Sequence, residues 1–267
     1  MSSLHTIAPL VLMALLGIPH GALDGYLMKS LSKNTIEFAL LLGVYLLCCL
    51  LAIYSWLKLP TVSLLFFLAA SVLHFGRSDV LQGACNQYFL AIVARGGLWV
   101  IALPFLHWST AEPIFAYLQT NTAVVRASVE WAFAPWAAIS GLHIAFELRN
   151  RRLRGCVEWS IGLLLIVVLP ALWALCAYFC AWHARRHTHW VWSESSSVKQ
   201  AWKHMLLFSG LAFGFAAAGY LTFLRDTAME SAATIIFFVG LFAVTIPHMI
   251  LIDFYLPHRF EHWRISK

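Results

Sequence analysis

Four histidines stand inside stretches apolar enough to cross a bilayer: His20, His74, and the pair His183 and His187. An imidazole in hydrocarbon is costly unless a partner satisfies it, so such residues mark a functional site, and one metal ion is the simplest partner common to all four. His183 and His187 are four apart, which on a helix sets them about 40° apart around the axis, on successive turns and within reach of one ion. The same spacing opens a metalloprotease motif, but Ala184 rather than glutamate follows His183, so hydrolytic zinc is not indicated. The competing reading of the pair is a snorkelling polar patch, because Arg185, Arg186 and His189 bring a membrane boundary close.

Carboxylates accompany these histidines. Asp24 follows His20 by four, so it is placed to accept an imidazole N–H and fix the tautomer that leaves the other nitrogen for metal, the usual arrangement behind a metal-binding histidine. A helix-capping or structural role is its alternative. Asp79 follows His74 by five, about 140° round a regular helix. It reaches the same site only if Gly76 ends or distorts that helix, and Arg77 offers it a simpler partner. His248 and Asp253 form a third such couple; His248 could be a fifth ligand, but the favoured readings are that it supports the ligands by hydrogen bonding or is satisfied by a neighbouring helix. His107, His143, His204, His258 and His262 fall near span ends and are read as surface groups without a role. The six cysteines form no CxxC pair and are read as small buried hydrophobes.

Neutral imidazole suits zinc, copper, iron and nickel alike, so ligand type leaves the metal open. A zinc with four histidines would be closed and structural, whereas octahedral iron keeps two positions vacant, which makes iron the choice for an enzyme.

The elements that must position these groups follow from composition. Hydrophobic residues make up 61% of the 267, charged residues 11%, and mean hydropathy is +0.77, where a soluble domain carries about 25% charged residues. Apolar runs of spanning length, roughly 17 to 25 residues, lie near 5–28, 35–57, 60–80, 87–108, 128–148, 156–181, 201–223 and 232–256. Each span must satisfy its own backbone hydrogen bonds. These runs predict one all-α, multi-pass transmembrane bundle of seven to eight helices, a single domain over residues 1–267, with the first run retained because it lacks a basic start and a clear cleavage site. Polar interludes near 109–127 and 193–200 are expected to be an interfacial helix and a loop whose serines suit a helix N-cap. Pro19 and Pro247, in the similar stretches Gly17-Ile18-Pro19-His20 and Thr245-Ile246-Pro247-His248, are expected to kink their helices and turn the following histidine inward. The net charge of +6 is assigned to topology and anionic headgroups rather than to nucleic acid, with the Arg149, Arg151, Arg152 and Arg154 cluster facing the cytoplasm.

At the histidines the sequence resembles the Brp/Blh family of membrane carotene dioxygenases. The segments that carry the resemblance are Gly17-Ile18-Pro19-His20-Gly21-Ala22-Leu23-Asp24, His74-Phe75-Gly76-Arg77-Ser78-Asp79, Trp182-His183-Ala184-Arg185-Arg186-His187 and Ile246-Pro247-His248-Met249. The resemblance implies that His20, His74, His183 and His187 ligate a non-haem ferrous iron, with Asp24, Asp79 and His248 behind them. It also implies β-carotene and O2 as substrates, two all-trans-retinal as products, a cell-membrane location and a functional link to a retinal-binding rhodopsin. An apolar tunnel for a rigid hydrocarbon suits a chain with 12 Trp, 8 Tyr and 19 Phe, although most of those residues serve packing or the interfacial belt.

Two other readings compete. A di-iron desaturase or hydroxylase also uses H-x3-H boxes but adds adjacent histidines, of which this chain has none. A transporter or opsin-assembly accessory protein would use the intramembrane His and Asp as an ion or proton path, yet no broken half-helices recur in two halves.

Overall fold

The computed structural model describes residues 3–80 and 88–256, and among these it is helical throughout, with no strand. The helices are α1 (His5–Leu31), α2 (Thr35–Lys58), α3 (Pro60–Asp79), α4 (Tyr88–Leu106), α5 (Trp108–Tyr117), α6 (Thr122–Arg149), α7 (Leu153–Val168), α8 (171–194), α9 (Val198–Leu224) and α10 (Met229–Tyr255). Six of them, α1 to α4, α9 and α10, are long and apolar enough to cross a membrane. Large apolar side chains cover the exterior, with Trp131 at 83%, Phe223 at 81% and Phe215 at 74% exposure. Such a surface belongs in lipid, and the protein is an integral membrane protein.

Among the described residues six helices qualify as spans, short of the expected seven to eight, and the difference lies in the middle of the chain. The apolar run 156–181 is not one span: Leu169 and Pro170 adopt extended ψ angles of 150° and 146°. A proline in mid-run removes a donor and restricts the residue before it, so α7 stops and α8 starts afresh. α6 is a continuous helix but carries Arg126, Glu130, Glu147 and Arg149. The 109–127 interlude does hold a short helix, α5.

Helix starts obey local chemistry. Asn34 caps α2 by accepting from the Glu37 N–H at 2.9 Å, while Glu37 takes the Lys33 N–H at 2.7 Å. Asn121 caps α6 and, as expected of the serine-rich loop, Ser197 caps α9. Pro19 and Pro104 are accommodated by π-helical turns that precede them, whereas Pro9 sits in regular helix. Met13–Gly17 widens just before Pro19, Leu98–Ala102 before Pro104, and Ile250–Tyr255 follows Pro247. A wider turn relieves the clash between the proline ring and the carbonyl four residues back.

The chain forms two compact units: one comprises the residues before Leu10 together with Leu59–His183, the other Leu10–Lys58 together with the chain from Ala184 onward. In the first, α3 and α4 cross closely through glycines. A methyl group on Gly76 would strike the Ile92 carbonyl, and one on Gly96 the Val72 carbonyl. Gly76 therefore lies inside a regular helix and permits contact; it does not distort α3 in the way that a shared site for His74 and Asp79 requires. Arg95 is buried between α4 and α7, donating to the Gly155 carbonyl at 3.2 Å and facing Glu158 at 3.4 Å. In the second unit, α10 packs on α2 with Trp56 against Phe242 at 5.1 Å. Leu23, Tyr26, Leu27 and Met28 of α1 form a core with Val191, Ala201, Met205 and Leu251.

Candidate metal centre

In the first unit His74 on α3 and His183 on α8 are 4% and 2% exposed, with ring centroids 5.1 Å apart and planes at 75°. Ser78, one turn beyond His74, lies 3.1 Å from His183 Nδ1. Its hydroxyl hydrogen is used on the Phe75 carbonyl at 2.9 Å, so Ser78 Oγ accepts from His183 Nδ1–H, and Nε2 is left with its lone pair. Phe179 stacks on His183 and Phe75 meets it edge-on at 4.9 Å. His183 sits in a π-helical turn, Phe179–Ala184. The spacing His183-x3-His187 is thus not a simple step along one α-helical face, and the expected offset does not apply.

Asp79 is buried and accepts a hydrogen bond from the Tyr178 hydroxyl at 2.9 Å. Tyr178 in turn stacks on Trp99 at 4.2 Å and packs against Phe75. These rings open onto a cleft in the same unit whose wall includes Asp79, Arg95, Trp99, Trp159, Tyr178 and Trp182.

In the second unit His20, His187 and His248 form a triangle of rings, with centroid distances of 5.4, 5.1 and 5.5 Å for the pairs 20–187, 187–248 and 20–248. His20 Nδ1 donates to the Gly17 carbonyl, at the end of the π-helical turn before Pro19. A carbonyl only accepts, so His20 also presents Nε2. Asp24, which its spacing placed beside His20, is hydrogen-bonded to a histidine much further along the chain. Both of its oxygens lie 2.9 Å from His248 Nδ1, and the Tyr45 hydroxyl donates to Oδ2 at 3.0 Å. The carboxylate hydrogen-bonded to His248 is Asp24, 224 positions earlier in the chain, while Asp253 acts on it through its charge.

His20, His183 and His248 thus share one arrangement, with Nδ1–H held by an acceptor and Nε2 the nitrogen left for a metal when it carries no proton. This is the form that binds a transition metal. The donor set therefore fits a metal ion, and Asp24, His187 and His248 alone place three potential ligand atoms within 4.8 Å of one another.

A family model described as "Beta-carotene 15,15'-dioxygenase" matches residues 11–255, a stretch that contains every one of these histidines. The chain belongs to the β-carotene 15,15'-dioxygenase family. Two relatives agree. One is the β-carotene 15,15'-dioxygenase of an uncultured marine bacterium, 66A03, 32% identical with 93% of this chain and 94% of that protein covered. The other is the probable β-carotene 15,15'-dioxygenase Blh of Halobacterium salinarum, 26% identical with 92% and 83% covered. No solved structure matches the chain.

Sequence reasoning missed Ser78, Tyr45, Tyr178 and the Gly17 carbonyl. Ser78 was legible, being four residues after His74 and so on its face of α3; Tyr45 and Tyr178 carry no local signal. His143, read as a surface group, is 2% exposed within α6. No disulfide joins the described cysteines, and of those expected to be buried Cys156 and Cys176 are, while Cys48, Cys49 and Cys180 are half-buried; Cys85, His258 and His262 lie outside the described residues.

Proposed function

We propose that this dioxygenase cleaves the central 15,15' double bond of β-carotene with O2 to give two all-trans-retinal, at a single non-haem ferrous iron held by His20, His74, His183 and His187. Asp24, Asp79 and His248 belong to the surroundings of that iron, and residues 1–267 act as one functional domain. The observation that carries the reading is the family match across residues 11–255, which takes in all four histidines. The shared arrangement of His20 and His183 supports it independently.

The bound iron would supply the activation of oxygen. The chain supplies the rest: a fixed Nε2 on each oriented imidazole, a dry apolar setting, and flat walls for a polyene. Neither the addition of O2 nor the release of two aldehydes requires a protein acid or base, which agrees with buried carboxylates that are tied to Tyr178, Tyr45 and His248. Trp99, Trp159 and Trp182 give the cleft of the first unit surfaces suited to a conjugated chain. A substrate dissolved in lipid enters such a cleft laterally, in keeping with a multi-pass protein of the cell membrane. Its product is the chromophore that a retinal-binding rhodopsin would take up.

The test is purification in detergent, loading with Fe(II), and incubation with β-carotene in air. Retinal should form with about one iron per chain, and none should form without oxygen. Two irons per chain, no retinal, or full activity in His183→Ala would overturn the reading.

A further inference from the structure

We infer that His248 is itself a metal ligand, a fifth imidazole, held in its binding tautomer by Asp24 and Tyr45; this rests on the iron centre proposed above. Geometry comes first. Imidazoles bound to one ion through nitrogen at about 2.0–2.1 Å have ring centroids roughly 4.5–5.3 Å apart for angles between perpendicular and tetrahedral. His248 lies 5.1 Å from His187 and 5.5 Å from His20, while His20 and His187, two of the ligands proposed above, are 5.4 Å apart. His248 is therefore as well placed toward those two as they are toward each other. The ring planes are also steeply inclined, at 60° and 87°, so the three rings do not stack and can converge edge-on.

Electrostatics points the same way. Asp24 is 2% exposed and is the one buried carboxylate among the described residues of the second unit, whose buried residues include no Lys or Arg. An ionised carboxylate in that setting needs a compensating cation. Either a proton on His248 supplies it, or a divalent ion bound through His248 does. In the second case Asp24, His248 and the metal form the carboxylate–histidine–metal series in which the carboxylate orients the ring and raises its basicity. Tyr45 completes the series by donating to Asp24. A hydrocarbon substrate offers no atom that can coordinate, so a fifth imidazole takes no position that β-carotene needs.

Anaerobic loading of the purified full chain with Co(II) tests this, through its ligand-field absorption bands and its dissociation constant. The variants are H187A, H248Q, H248G and D24N. H248Q keeps a donor for Asp24 but loses the imidazole. The expected result is a loss of Co(II) affinity beyond about 100-fold and shifted bands in H248Q and H248G, with added imidazole restoring the bands of H248G. D24N should lose about 10–100-fold, the effect expected for a group behind a ligand, with little change in band positions. If H187A binds as tightly as the parent, the proposed iron centre is wrong altogether. If H187A loses the metal while H248Q and H248G keep parental affinity and bands, the centre stands and His248 is only an ion-pair partner of Asp24.

Discussion

Two stretches of this chain look alike and are wired differently. His20 leads to Asp24 and His74 to Asp79, each an imidazole followed about one turn later by a carboxylate, yet each carboxylate hydrogen-bonds a residue distant in sequence. Asp24 bonds His248 directly, whereas Asp79 bonds the Tyr178 hydroxyl. In the second unit the histidine cluster therefore carries a formal negative charge in contact with an imidazole. In the first unit His183 is oriented by a neutral hydroxyl, and the buried Asp79 is tied to a phenol rather than to an imidazole. A charged acceptor raises a ligand's basicity, while a neutral one mainly fixes its direction. The two halves should thus answer differently to removal of their supporting groups.

The largest effects should be shared by both units. Loss of His183 or of His20 removes an imidazole outright, and retinal formation should fall below detection in either alanine variant, with folding checked by size-exclusion chromatography. Retained activity in one of them would remove that unit from the centre. The next contrast separates the units. Asp24→Asn should lose about 10–100-fold in metal affinity and activity together, because its carboxylate contacts an imidazole. Asp79→Asn should leave metal affinity within a few-fold, because its partner is a phenol, and should act on the cleft through Tyr178 and Trp99, as a raised KM for β-carotene. Equal losses of metal affinity in the two variants would erase the distinction.

How far this was legible in sequence depends on chain distance. The buried histidines, the all-helical membrane class and the Ser197 cap all rest on patterns within one or two turns, and these survive in the structure. The Asp24–His248 pair spans 224 positions, and no local periodicity can announce it; the nearer partner at i−4 looked sufficient. The break inside the run 156–181 was hidden for a related reason. Averaged hydropathy across 156–181 is blind to what Pro170 does to the backbone, although the proline itself is in plain view. His143 was misjudged because nearness to a span end says nothing about which neighbours cover it.

The smallest effect tests the neutral side of the comparison. Ser78 Oγ accepts from His183 Nδ1–H and donates to the Phe75 carbonyl, and a hydrogen bond between neutral groups contributes about 0.5–1.5 kcal/mol net. Ser78→Ala removes the acceptor but leaves His183 held by Phe75 and Phe179, whose rings lie 4.9 and 5.7 Å away. Metal affinity should therefore fall only about 2- to 12-fold, the factor that this energy corresponds to, in titrations with Co(II). Ser78→Asp places a carboxylate near the same nitrogen and should recover the affinity lost in Ser78→Ala, as Asp24 does for His248. A loss in Ser78→Ala as large as in Asp24→Asn would mean that packing does not hold His183 and that the hydroxyl matters as much as the carboxylate.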